Sequence, residues 1–288
     1  MKLLTFAVPG EAPRWGYLDA DGMIVDVARP GGLTGLVTLP PDRRAEVLAQ
    51  IARPGWPRLR PEKVTVLAPV RPVRNLFAAG ANYRAHVAES VHSAAEPDRP
   101  IFFSKATTSV TGPGVVEVDP ELTRRVDWEV EVAAVLGSGG RRLSPEAALD
   151  AVFGYMTAND LSARDQQHGR PEGQWFLGKS LDGFCPLGPW LVTADEVPDP
   201  QDLRLRLTVN GRVEQDGSTK EMIFPIGELI AELSRFVTLL PGDIVLTGTP
   251  AGVGDARTPP VYLHHGDEVS AEVAGLGVLT NRIVEVGR

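Results

Sequence analysis

A single cysteine, Cys185, stands in 288 residues. No intramolecular disulfide can form, and a reducing, cytoplasmic compartment is expected. No stretch approaches the ~20 consecutive apolar residues of a membrane span. The opening MKLLTFAVPGE carries an apolar run too short for the core of a signal peptide. Positive charge is also scarce: 29 Lys and Arg against 37 Asp and Glu leave a net charge of −8. With no basic stripe, a nucleic-acid-binding surface is excluded. G-x-S-x-G, the P-loop and G-x-G-x-x-G are missing, so the serine elbow, the phosphate cradle and the dinucleotide fingerprint are excluded as well. His92, His168, His264 and His265 have no metal-like spacing with the cysteine. His264 and His265 read as surface turn residues and His168 as a loop contact.

What the chain does contain is apolar residues (43%) and many turn formers, with 30 Gly and 25 Pro. That combination predicts a well-filled, turn-rich fold dominated by β structure. A small N-terminal module is expected over 1–70. It has short strands at Leu3–Ala7, Trp15–Leu18 and Met23–Val27, an Asp21-Gly22 turn, and a helix at Pro41–Ile51. Pro57 to Glu62 reads as a linker before the main body, 71–288. There Asn75–Ala79 and Ile101–Ser104 read as strands flanking a polar turn or helix, Arg84 to Ser90. Ser144-Pro145 starts a helix, with serine at the cap and proline at the first helical position. That helix is expected to run past Val152 to Gly154. Leu161 to Gly178 reads as a long polar loop over a site. Trp190–Thr193 reads as a strand, and Leu203–Val209 begins a hairpin turned by Asn210-Gly211. Ile226 to Leu233 has helical spacing, and Pro241-Gly242-Asp243 and His265-Gly266-Asp267 each launch a strand.

The stretch Asp127 to Leu136, DWEVEVAAVL, reads as one strand because apolar and polar residues alternate. Trp128, Val130, Val132 and Ala134 then share one face, and Asp127, Glu129 and Glu131 the other. Glu129 and Glu131 sit roughly 7 Å apart at Cα. They form either a solvated outer face or a pair of oxygen ligands for a hard divalent cation. Asp160 ends the strand after the next helix and either completes a three-carboxylate site or caps a helix. His86 and Glu89 are three apart, so on a helical turn the carboxylate can hold the imidazole as a general base; a surface ion pair is the plain alternative. Lys179, between Gly178 and Ser180, either reaches a pocket to stabilise developing negative charge or faces solvent. Cys185, between Phe184 and Pro186, reads as a packed core thiol.

Asn82-Tyr83 with His86, then DWEVEVAAVLG, ANDLSARDQQ, GQWFLGKSLDGFCPLGPWLV and VLTGTPAGVG, occur in the order seen in the fumarylacetoacetate hydrolase family. The chain resembles that family from about residue 70 onward. The N-terminal module is similar to the small extra domain of many bacterial members. The resemblance implies a mainly β (α+β) fold, a mixed β-sandwich roll that is usually dimeric. It implies Mg²⁺ or Mn²⁺, with Ca²⁺ possible, held by Glu129, Glu131 and Asp160. The family's His–Glu pair falls on His86 and Glu89, its active-site lysine on Lys179, and substrate contacts on Tyr83, Gln167 and Thr249. Fumarylacetoacetate hydrolase itself has a further acidic residue just before its counterpart of Tyr83. Ala81-Asn82 stand there in this chain, which looks more like the shorter bacterial members.

The expected activity is metal-dependent hydrolysis of a C–C bond in a 2,4-diketo acid (an acylpyruvate), releasing pyruvate and a carboxylic acid. The segments 84–95 and 165–177 are expected to close over the substrate. The alternative is decarboxylation of oxaloacetate, or isomerisation or decarboxylation of muconate-type ring-cleavage products, through the same metal-stabilised enolate. A third reading is a non-catalytic, cation-stabilised protein.

Overall fold

The computed structural model describes residues 1–30, 32–90, 95–171 and 173–287. His92 and parts of the two segments expected to close over the site therefore lie outside the described residues. The N-terminal part runs β1 (Lys2–Ala7), β2 (Arg14–Leu18), β3 (Ile24–Pro30), α1 (Thr34–Val37), α2 (Pro41–Ile51), β4 (Arg58–Leu59) and β5 (Thr65–Leu67). The body opens with β6 (Leu76–Gly80), α3 (Arg84–Glu89), β7 (Ile101–Ser104), β8 (Val110–Thr111) and β9 (Gly114–Val118). It continues through β10 (Val126–Asp127), β11 (Val130–Leu136), α4 (Pro145–Asp150), β12 (Val152–Asn159), β13 (Ser162–Ala163), α5 (Arg164–Gln167), α6 (Trp175–Lys179) and β14 (Cys185–Thr193). It closes with β15 (Arg204–Val209), β16 (Arg212–Ser218), α7 (Ile226–Phe236), β17 (Ile244–Leu246), β18 (Glu268–Val273) and β19 (Gly277–Glu285).

A 12-stranded sheet runs β4-β3-β2-β1-β14-β12-β11-β17-β6-β7, with β5 on β1 and β8 on β14. A 5-stranded sheet, β16-β15-β18-β19-β9, packs against it, and β10 pairs with β13. This is the mixed, sheet-rich α+β architecture expected from the resemblance. β1 pairs with β14 (Leu3 opposite Leu191), so the N-terminal strands extend the large sheet. They also keep a small core of their own around Leu4, Phe6 and Ile24.

β11 organises both layers. It lies between β12 and β17, both antiparallel to it, and is buried throughout. Such doubly covered strands require near-continuous apolar sequence. Val130, Val132, Ala134 and Leu136 face the core shared with Leu205, Leu207, Val269 and Ala271 of the small sheet. Ala133 and Val135 face the core shared with Leu76 and Ala78 and with Leu36, Val37 and Ile51 of the N-terminal helices. Glu131 belongs to this second face by period, at the end of the strand where the apolar filling gives way to the cleft described below.

Several elements differ from expectation for identifiable reasons. The acidic stretch is not one strand: pairing breaks at Trp128 and Glu129. The amides of Trp128, Glu129 and Val130 donate instead to Asp127 Oδ1 (2.8 Å), Asn159 Oδ1 (2.9 Å) and Gln215 Oε1 (2.9 Å). The helix begun at Ser144, whose Oγ accepts from the Ala147 amide, ends at Asp150. Val152, Phe153 and Gly154 instead open β12, all three buried in the sheet. Leu161 to Gly178 is not an irregular loop but holds β13, α5 and α6. Its polar letters hid buried residues that satisfy one another. The linker Pro57–Glu62 contributes β4, and β14 begins five residues before Trp190. Asn210 (φ 50°) and Gly211 (φ 79°) turn the β15–β16 hairpin, the two positive dihedrals that a type I′ turn needs. Among the described residues no helix is long and apolar enough to cross a membrane.

Candidate active site around an acidic triad

The end of β11 and the end of β12 bring three acids together. Val130 pairs with Asn159 and Glu131 with Ala158, and the Asp160 amide donates to the Glu129 carbonyl at 2.8 Å. Strand adjacency therefore delivers Asp160 beside the glutamates. One oxygen from each of Glu129, Glu131 and Asp160 lies within 4.8 Å of the others, and all three residues are buried. Glu131 is 1% exposed, so the solvated-face reading of this stretch fails.

Buried carboxylates this close demand compensation, and cations supply most of it. Lys179 Nζ donates to Glu129 Oε2 at 2.6 Å and to Asp160 Oδ2 at 2.8 Å. Lys105 bonds the other Asp160 oxygen and the Phe184 carbonyl (2.9 Å). Arg164 donates through Nε to Asp127 Oδ2 (2.9 Å), through Nη1 to Gln167 Oε1 (2.8 Å) and through Nη2 to Glu129 Oε1 (2.7 Å). Burial would raise Glu129, but Lys179 and Arg164 beside it hold its carboxyl well below the usual range. Burial would lower Lys179, but Asp160 and Glu129 outweigh it and hold the ammonium charged. Glu131 differs. Burial, then the Asp160 and Glu129 charges, push its carboxyl well above the ordinary value.

Sequence reasoning missed Lys105, Asp127 and Arg164 as site residues. Arg164 lay inside ANDLSARDQQ, but nothing in its letter distinguishes a buried guanidinium from a surface one. Lys105 had only the signal of following a strand.

The glycine-rich run after β17 supplies amide donors to three different acids. Gly248 N–H donates to Glu131 Oε2 (2.7 Å), Gly252 N–H to both Glu89 oxygens (3.0 and 2.8 Å), and Gly254 N–H to Asp127 Oδ1 (2.7 Å). Gly252 sits at φ +110°, and a Cβ there would collide with the Glu214 carbonyl. Only glycine fits. Glu89, so anchored, takes His86 Nδ1 at 2.9 Å. A carboxylate accepts only, so Nδ1 carries the proton and Nε2 is left for exchange. The H-x-x-E pair is thus a formed, part-buried dyad on α3.

His86, Glu129, Glu131, Lys179, Gln167 and Thr249 line one cleft of about 680 Å³, open solvent at its mouth included. Arg164, Phe103 and Trp175 complete its walls. Asp160 lies beneath, covered by the two lysines. Thr249 Oγ1 donates to the Val130 carbonyl (2.9 Å) and accepts from Gln215 Nε2 (2.8 Å). Tyr83 is fully buried, its hydroxyl without a hydrogen-bond partner. It lies outside the cleft lining, and burial, then Glu131, raise it well above a normal phenol. Cys185 is a buried core thiol.

The donor set fits a hard divalent cation: three carboxylates, all oxygen, with Glu131 facing two like charges. Mg²⁺, Mn²⁺ and Ca²⁺ are all served by such oxygens.

Residues 75–284 match the family model described as Fumarylacetoacetate (FAA) hydrolase C-terminal. The chain is 46% identical over 250 residues to a Homo sapiens protein named Oxaloacetate tautomerase FAHD2A, mitochondrial, covering 87% of this chain and 77% of that one. It is 44% identical over 223 residues to Oxaloacetate tautomerase YisK of Bacillus subtilis (strain 168), covering 77% and 73%. The solved structure of a fumarylacetoacetate hydrolase from Exiguobacterium antarcticum matches with a TM-score of 0.86 at 39% identity, covering 99% of this chain and 100% of that one.

Proposed function

Since the chain belongs to the fumarylacetoacetate hydrolase family, we propose that it is a divalent-metal-dependent tautomerase of short 2-oxo dicarboxylates of the oxaloacetate type. The observation that carries this reading is that Glu129, Glu131, Lys179 and the His86–Glu89 dyad all meet at one cleft. The two similar tautomerases support it, and they reverse the order of preference expected from the sequence, which put acylpyruvate hydrolysis first.

Glu129, Glu131 and Asp160 would hold the ion, which supplies Lewis-acid polarisation of substrate oxygens. In the enol-to-keto direction a proton leaves the 2-hydroxyl and one arrives at C3. The electron pair of the C2–C3 double bond forms the new C–H bond, so atoms and charge balance. His86 Nε2, unprotonated while Nδ1–H donates to Glu89, takes the 2-hydroxyl proton and then delivers it to C3, with Glu89 fixing ring orientation and tautomer. Lys179 offsets negative charge on the C2 oxygen. Gln167 and Thr249 position the substrate, and Arg164 holds Glu129 and Gln167 in place. The same reading takes the protein as a cytoplasmic homodimer with a small N-terminal domain over 1–70 and a catalytic domain over 71–288.

Hydrolysis of an acylpyruvate is the second reading, favoured by the His86–Glu89 pair, which could equally deprotonate a water. Purified protein with Mg²⁺ or Mn²⁺ should accelerate loss of the enol absorbance of oxaloacetate, with no acid fragment and no CO₂ released. His86→Ala should slow this by roughly 10²–10⁴-fold while thermal stabilisation by Mg²⁺ survives. Cleavage of acylpyruvates, with label from water in the released acid and no effect on the enol, would transfer the assignment to hydrolysis. No turnover of either substrate would end the enzymatic reading.

A further inference from the structure

We infer that Trp175 sets the length of substrate the cleft accepts, closing its apolar end so that only compact 2-oxo acids fit. The inference rests on the function proposed above and narrows its substrate class.

α6 is a single turn that begins at Trp175 and ends at Lys179. Residues four apart on a helix share a face, and both line the cleft. One short element therefore presents the charge that meets the substrate and a large ring beside it. The ring is seated, not loose. Its Cζ3 and Cη2 lie 2.7 and 3.1 Å from where a Cβ on Gly80 would stand, so it rests flush on the Gly80 backbone because no side chain intervenes. It also meets Phe103, edge-to-face at 5.3 Å and 71°, a favourable aromatic geometry. Phe103 in turn lies 5.5 Å beneath the Lys179 ammonium.

Lys179, Phe103 and Trp175 thus form a continuous wall leading from the acidic triad to an aromatic stop. A substrate whose carboxylate and 2-oxo end lies at Glu129, Glu131 and Lys179 extends along this wall. A long acyl or aryl tail extending that way meets the ring. Trp175 is half-buried, as befits a boundary between cleft and solvent rather than a core residue. Discrimination per methylene in such a pocket is roughly 10–200-fold.

The test is calorimetric titration of the Mg²⁺-loaded full chain with oxalate, 2-oxohexanoate and 4-phenyl-2-oxobutanoate, for the wild type, Trp175→Ala and Trp175→Phe. The wild type should bind oxalate and discriminate against both longer acids. Trp175→Ala should tighten the longer acids at least about tenfold, leave oxalate within about threefold, and Trp175→Phe should fall between. Longer acids that bind no better in Trp175→Ala, or that change in parallel with oxalate, overturn the inference. If the wild type binds oxalate but turns over no enol-oxaloacetate, the functional reading fails while the binding series still decides the role of Trp175.

Discussion

Replacing Glu131 by Gln removes one of three buried acids without changing its shape, and the structure sets both sign and scale. Glu131 has oxygens within 4.8 Å of Glu129 and Asp160. At an effective dielectric near 20, each such repulsion is about 3.5 kcal/mol. Lys179 offsets part of it. Protonation of Glu131 relieves the rest, since burial and its two acidic neighbours hold its carboxyl well above the usual range. An acid whose folded pKa is raised contributes its full stability below the unfolded value, about 4.3, and loses it as pH rises toward the folded one. The loss is about 1.4 kcal/mol per pH unit. Gln carries no such penalty. Without divalent ions, Glu131→Gln should therefore match the wild type below about pH 4.3 and become progressively the more stable of the two as pH rises above it. Each pH unit of that loss corresponds to roughly 3–6 °C in Tm. Adding Mg²⁺ should stabilise the wild type and leave the variant nearly unmoved, reversing the order. Thermal unfolding in EDTA and in Mg²⁺ at several pH values measures all of this. A variant less stable than the wild type in EDTA near pH 7, or equal Mg²⁺ stabilisation of both proteins, would refute the argument.

Gly252→Ala should cost roughly 1–3 kcal/mol from backbone strain at its positive φ. It should also lower turnover, because the amide that anchors Glu89 must move; unchanged urea unfolding and unchanged activity together would count against this account. Cys185, fully buried with its thiol pushed up to about 12 by burial, should resist alkylation near pH 8 until the chain unfolds. Its raised pKa also means that the stability it contributes falls as pH climbs from about 8.5 toward 12, and rapid stoichiometric labelling of the native protein would contradict its burial.

Much of the local geometry was legible. Alternation over Trp128 to Ala134 correctly separated the face that packs on the small sheet from the face that carries Glu131, because side-chain period follows backbone geometry alone. Asn210-Gly211 and Ser144-Pro145 were readable for the same reason: each satisfies a dihedral or capping need within a few residues. The H-x-x-E spacing placed His86 over Glu89 on one turn, as the dyad shows.

The partners of the buried charges were not legible. Lys105 reaches Asp160 across 55 positions of sequence, and Gly252 holds Glu89 across 163. The break at Glu129 exists only because Asn159 and Gln215 arrive from other strands to take the amides of Glu129 and Val130. A lysine or arginine reads the same in sequence whether it is solvated or locked against a carboxylate. Periodicity and turn chemistry act over a few residues, so the chain alone determined which side chains share a face. The pairing of distant strands decided which charges meet, since only closure of the fold removes the water that would otherwise screen them.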